Sequence, residues 1–168
     1  MRKSLLGLIA ACSAAPALAA AGSATALAPV KVKVVRPLML TSSGSLNFGT
    51  VILTGLTSNR TVSLSTANSR NCGGGTAELI CSGATSVPTF NVRGTNNQIV
   101  TIIKTASNLV NAANGATLSM TLIGPATITF TNSSANGVNF TIGASITLTP
   151  ATGDGVYSGT VNVQVDYQ

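Results

Sequence analysis

The sequence contains no histidine and no tryptophan, and only three of its 168 residues are acidic. Without histidine it lacks the side chain that titrates nearest neutral pH and most often serves as a general base. The three acids, Glu78, Asp154 and Asp166, lie far apart along the chain. Their spacing offers no carboxylate pair for glycoside chemistry and no carboxylate cluster for calcium. A Ser–Lys dyad would need a buried lysine with a lowered pKa. Lys104 is the one candidate, and its place at the end of "QIVTIIK" reads better as a cap on a strand edge. The loop "CGGGTAE" has the glycines of a phosphate loop but not its Gly-Lys-Ser/Thr ending. No catalytic constellation and no cofactor or metal site emerges, so no enzymatic activity is expected. Two tyrosines and four phenylalanines are too few for an aromatic platform on single-stranded nucleic acid. The formal charge of +6 is scattered apart from Lys31, Lys33 and Arg36, which fit a solvated strand face, so no nucleic-acid partner is expected.

The long apolar run that is present lies at the start. Met1-Arg2-Lys3 is followed by apolar residues from Leu5 to about Ala15, then by Ala17-Leu18-Ala19. A basic start, a short apolar middle and a small-residue exit predict a secretory signal peptide over residues 1–19. The run is too short for a permanent membrane span. Two alternatives stay open. Cleavage could follow Ala26-Leu27-Ala28, although Pro29 comes next, or Ile9-Ala10-Ala11-Cys12 could act as a lipobox and tether the protein through Cys12. Loss of the signal leaves Cys72 and Cys81, an even pair in an oxidising compartment, and a disulfide between them is expected.

Residues beyond the signal show no useful helical period. Short alternating runs are separated by Gly, Asn, Ser and Pro, with turn signals at Ala113-Asn114-Gly115, Asn136-Gly137 and Gly153-Asp154-Gly155. This predicts an all-β antiparallel sandwich or barrel in one domain. The first run, "APVKVKVVRPLML", places Val30, Val32 and Val34 on one side and Lys31 and Lys33 on the other. The last places Tyr157, Gly159, Val161, Val163, Val165 and Tyr167 on one face. The alternation also turns Leu118, Met120, Leu122, Ile146 and Leu148 inward.

The segments "RPLMLTSSGSLNFGTVI" and "GVYSGTVNVQVDYQ" resemble the ends of the bacterial "domain of unknown function 4402" family, and "GATLSM" and "IGASITLTP" resemble its middle strands. That resemblance implies an exported all-β domain and no particular activity. More distantly the two ends are similar to archaic chaperone–usher pilins and the spore coat U domain. Those pilins are immunoglobulin-like sandwiches short of one strand, which the N-terminal extension of the next subunit supplies. Carried over by position, Val30, Val32 and Val34 would be donor side chains, and Val161, Val163, Val165 and Tyr167 would line the acceptor edge. Arg36-Pro37 limits the donor segment, because proline removes a ladder donor.

The chain is therefore expected to comprise a signal peptide (1–19), an N-terminal extension and donor strand (20–35), and an immunoglobulin-like, pilin-like β-sandwich (36–168). Its expected role is that of an exported structural protein of the cell surface, self-associating into a fimbria-like polymer used in adhesion or biofilm. Pilus-type export would require a periplasmic chaperone and an outer-membrane usher. The alternatives are a self-complete surface or matrix sandwich and a lectin-like binding module.

Overall fold

The computed structural model describes residues 22–73, 77–131 and 136–168. The expected signal peptide and Cys12 lie outside the described residues. The chain divides into two units, Met1–Lys33 and Val34–Gln168. In the first, residues 22–33 are exposed and carry no strand.

The second unit holds every described strand. These are β1 (Met39–Ser43), β2 (Thr50–Leu53), β3 (Arg60–Leu64), β4 (Arg70–Cys72), β5 (Leu79–Ser82), β6 (Thr89–Arg93), β7 (Ile99–Ala106), β8 (Leu109–Asn111), β9 (Thr117–Leu118), β10 (Met120–Ile123), β11 (Thr127–Thr129), β12 (Val138–Thr141), β13 (Gly143–Leu148), β14 (Tyr157–Ser158) and β15 (Val161–Tyr167). They pair into five sheets in the orders β1-β6-β12, β10-β13-β3-β4, β11-β7-β15, β14-β8-β9 and β2-β5. All the pairings between these strands are antiparallel, so the fold is all-β, antiparallel and multi-sheet.

Two apolar clusters hold the sheets together. In one, Phe90 and Val92 of β6 and Phe140 of β12 meet Val100 and Ile102 of β7, with Phe130 and Ile142 fully buried among them. Two sheets thus face each other across one core, as in a sandwich. Phe90 and Phe140 are register partners and stack with ring centroids 5.4 Å apart. The second cluster draws Val62 from β3, Ile146 and Leu148 from β13, Leu79 from β5 and Leu118 from β9. Period-two alternation explains these choices: in β3, Val62 and Leu64 are buried while Thr61 is exposed. The residues turned inward by the sequence reading behave accordingly. Leu118, Ile146 and Leu148 are buried, and Met120 and Leu122 are half-buried.

The structure departs from the sequence reading at three kinds of place. The alternating run from Ala28 to Leu40 is strand only from Met39 onward. A strand is defined by its ladder, and Pro37 cannot donate to one. The final run breaks at Gly159-Thr160 into β14 and β15, where the Ser107 hydroxyl oxygen accepts the Thr160 N–H at 2.8 Å. Strands β4, β8 and β12 were not expected, being three or four residues long, too short to show a period. At the turn before β12, Gly137 adopts φ 73°, a conformation that favours glycine.

Candidate assembly surface

β15 is seven residues long and forms the edge of its sheet, with β7 as its hydrogen-bonded neighbour. Among the described residues no other strand at a sheet edge is as long; β1, the next, has five residues. Its β-branched valines alternate with Asn162, Gln164 and Asp166. As a result Val161, Val163, Val165 and Tyr167 pack against the first core cluster, and the polar residues stay exposed. These four inward residues are only half-buried, whereas Val100 and Ile102 on the central strand are buried. The core is therefore less covered along β15 than along its neighbour β7.

The backbone of β15 has a definite polarity. Gln168 N–H donates to the Ile99 carbonyl and Ser107 N–H to the Thr160 carbonyl, each at 3.0 Å, in the same register as the strand pairing. In an antiparallel ladder, bonded pairs alternate with unbonded ones. Asn162, Gln164 and Asp166 therefore exchange bonds with β7. Val161, Val163, Val165 and Tyr167 turn their N–H and C=O groups toward the open edge. The Ile102 N–H, which donates to Ala126 at 2.8 Å on the opposite side of β7, fits the same alternation. An equivalent argument from Ile142 N–H to the Pro88 carbonyl leaves β1 with Leu40 and Ser42 facing outward. Among the described residues, β15 thus presents about twice the unpaired ladder of β1.

The C-terminal end of this strand is pinned. The Tyr167 hydroxyl donates to the Arg36 carbonyl at 2.7 Å and accepts the Thr95 N–H at 2.8 Å. Arg36 N–H donates in turn to Thr95 Oγ1 at 2.7 Å. The Tyr167 ring also meets Phe130 edge-on, centroids 6.5 Å apart. The sequence reading used Tyr167 only for its apolar face; the hydroxyl role depends on contacts far apart in the chain.

The residues assigned as donors differ from this edge in their surroundings. Val30, Val32 and Val34 are 92, 84 and 83 % exposed. They are large apolar side chains in water, where burial of each would be worth about 1.5–3 kcal/mol.

The remaining polar and sulfur contacts tie separate segments of the domain together. Cys72 and Cys81 form the expected disulfide, with Cα atoms 6.0 Å apart, tying β4 of one sheet to β5 of another. Lys104 Nζ donates to the Gly124 and Pro125 carbonyls at 3.3 and 2.6 Å, clasping the turn before β11. Glu78 accepts from Thr57 Oγ1 at 2.5 Å and from Arg60 Nη2 at 2.6 Å. The Thr57 hydroxyl first, and Arg60 beside it, hold the Glu78 carboxyl below its ordinary value. This cluster went unnoticed in the sequence, because nothing at a spacing of 18 or 21 residues announces it. Asp166, exposed on β15, accepts from the neutral Gln164 Nε2 at 2.9 Å. Among the described residues, no three His, Cys, Asp or Glu side chains gather to hold a metal.

A family model described as "Domain of unknown function (DUF4402)" matches residues 38–167, from just before β1 to the end of β15, and the chain belongs to that family. No curated protein and no solved structure matches the chain.

Proposed function

We propose that the protein is an exported structural subunit of the bacterial cell surface, pilin-like in kind, that assembles by strand complementation. The domain is read here as an immunoglobulin-like sandwich short of one strand beside β15. The observation that carries this reading is the pairing of two exposed halves. β15 offers a half-covered apolar face and an unpaired ladder at Val161, Val163, Val165 and Tyr167. The extension offers an alternating apolar segment at Val30, Val32 and Val34. An open edge of this length invites association, and exported proteins either cover such edges or use them. Strand addition would satisfy both halves, with the ladder giving affinity and the valines giving specificity. Polymers built this way would serve adhesion or biofilm, and their export would call for a periplasmic chaperone and an outer-membrane usher.

The test is the mature full-length chain carrying Val32→Asp. A lone carboxylate forced into an apolar groove is costly. The wild-type chain should sediment as a concentration-dependent series of oligomers, and the variant as a folded monomer. If both sediment as monomers, the polymer reading is lost and a self-complete surface protein remains.

A further inference from the structure

Resting on that reading, we infer that the β15 edge takes the extension of a second copy of this chain in one antiparallel register, with Lys31 opposite Asp166. The outward-facing N–H and C=O groups of β15 belong to Val163, Val165 and Tyr167, along with Val161. An incoming antiparallel strand that sets Val30 opposite Tyr167, Val32 opposite Val165 and Val34 opposite Val163 forms its bonded pairs at those three positions. All three donor valines then turn toward the core. The unbonded pairs, where side chains of an antiparallel ladder come closest, become Lys31 with Asp166 and Lys33 with Gln164.

Charge and the length of β15 together select this register over its neighbours. Asp166 is one of three acids in the chain, it is exposed on β15, and its carboxylate is held by the neutral Gln164. A shift of two residues that sets Lys33 opposite Asp166 in the antiparallel sense would carry Val30 past Tyr167, where β15 ends, and leave one donor valine outside the ladder. A parallel strand with Lys31 opposite Asp166 would run Val34 past Tyr167, where β15 ends. Antiparallel pairing is also the slightly more stable kind, and it is the kind used throughout the domain.

Tethering identifies the donor as another molecule. Arg36 is held at the Tyr167 end of its own β15. In the antiparallel register Val34 lies beside Val163, four residues and about 13 Å down the strand. Two residues of extended chain reach about 7 Å. The chain's own extension cannot make that return; laid along its own β15 it would run parallel, with Lys33 opposite Asp166.

The experiment uses the mature full-length protein with two cysteine pairs, Lys31→Cys with Asp166→Cys and Lys33→Cys with Asp166→Cys, oxidised and run without reductant. The proposal expects an intermolecular ladder from the first pair and little cross-linking from the second. Cross-linking from the second pair within single chains, giving a monomer band, overturns the antiparallel second-copy assignment yet keeps strand donation. A ladder from the second pair alone overturns the register. If neither pair cross-links and the protein sediments as a monomer, the inference and the strand-complementation reading fall together. Charge reversal gives a readout independent of cysteine folding. Lys31→Glu should weaken association about two- to fivefold, and Lys31→Glu with Asp166→Lys should restore it. A double variant no better than the single one overturns the pairing.

Discussion

The hydroxyl of Tyr167 donates to the carbonyl of Arg36 at 2.7 Å, joining residues 131 positions apart at the two ends of the domain. Because it also accepts the Thr95 N–H, one oxygen fixes the chain's entry into β1 against its exit from β15.

Removing that oxygen by Tyr167→Phe keeps the ring against Phe130 and deletes both hydrogen bonds. The Thr95 amide, partly buried, is left without its acceptor. Unfolding in urea should show a loss of about 1–3 kcal/mol, seen as a lower midpoint with an unchanged slope. An unchanged midpoint would mean that the bridge carries no stability.

Reduction of Cys72–Cys81 releases the tie between β4 and β5 and a loop of sequence separation 9. On the loop-entropy account this costs about 2–3 kcal/mol. Calorimetry with and without reductant should show a lower melting temperature in the reduced protein, and Cys72→Ser with Cys81→Ser should behave like it.

Glu78 sets a pH dependence. Its carboxyl titrates below its ordinary value of 4.5 in the folded protein, because Thr57 and Arg60 favour the charged form. A depressed folded-state pKa contributes stability that is fully present above the unfolded-state value and is lost as pH falls through the folded-state value. Stability measured from neutral pH downward should therefore decline in the acid region below about 4.5. Glu78→Gln should lower stability at neutral pH and flatten that decline; a variant with the wild-type profile would assign the acid transition elsewhere.

Gly143 opens β13 directly against β3. A Cβ placed there would lie 2.1 Å from the Leu64 carbonyl oxygen, a backbone atom that cannot swing away. Gly143→Ala should destabilise the domain by about 1–3 kcal/mol or more through overpacking. Chemical denaturation against Gly22→Ala, which meets nothing within 4 Å, supplies the control.

How much of this was legible in the sequence follows from which interactions are local. The alternation of β15 and the inward set Leu118, Ile146 and Leu148 could be read because a strand's side chains repeat every two residues. The disulfide could be read from parity, since two cysteines remain beyond the expected signal. Strand β12 could not: Val138–Thr141 is four residues, placed immediately after a turn, and only its pairing with β6 makes it a strand. The bridge at Tyr167 and the Thr57–Arg60–Glu78 cluster were hidden for another reason. They are side-chain hydrogen bonds between distant segments, and no periodicity reports them. An edge at β15 was suggested only by the resemblance to pilins, because a sequence by itself shows which face of a strand is apolar but not whether a neighbour lies beside it.

The central claim, that the β15 edge is completed by the segment around Val30–Val34, is tested most directly by melting a chain that begins at Arg36 with increasing amounts of a peptide spanning residues 22–35. The account predicts that the shortened chain alone is less stable or prone to aggregate. It predicts that the peptide raises its melting temperature progressively with concentration, as binding to the folded state requires, and that the same peptide carrying Val32→Asp does not. A shortened chain that stays soluble, monomeric and as stable as the full-length protein, and that ignores the peptide, would contradict the account.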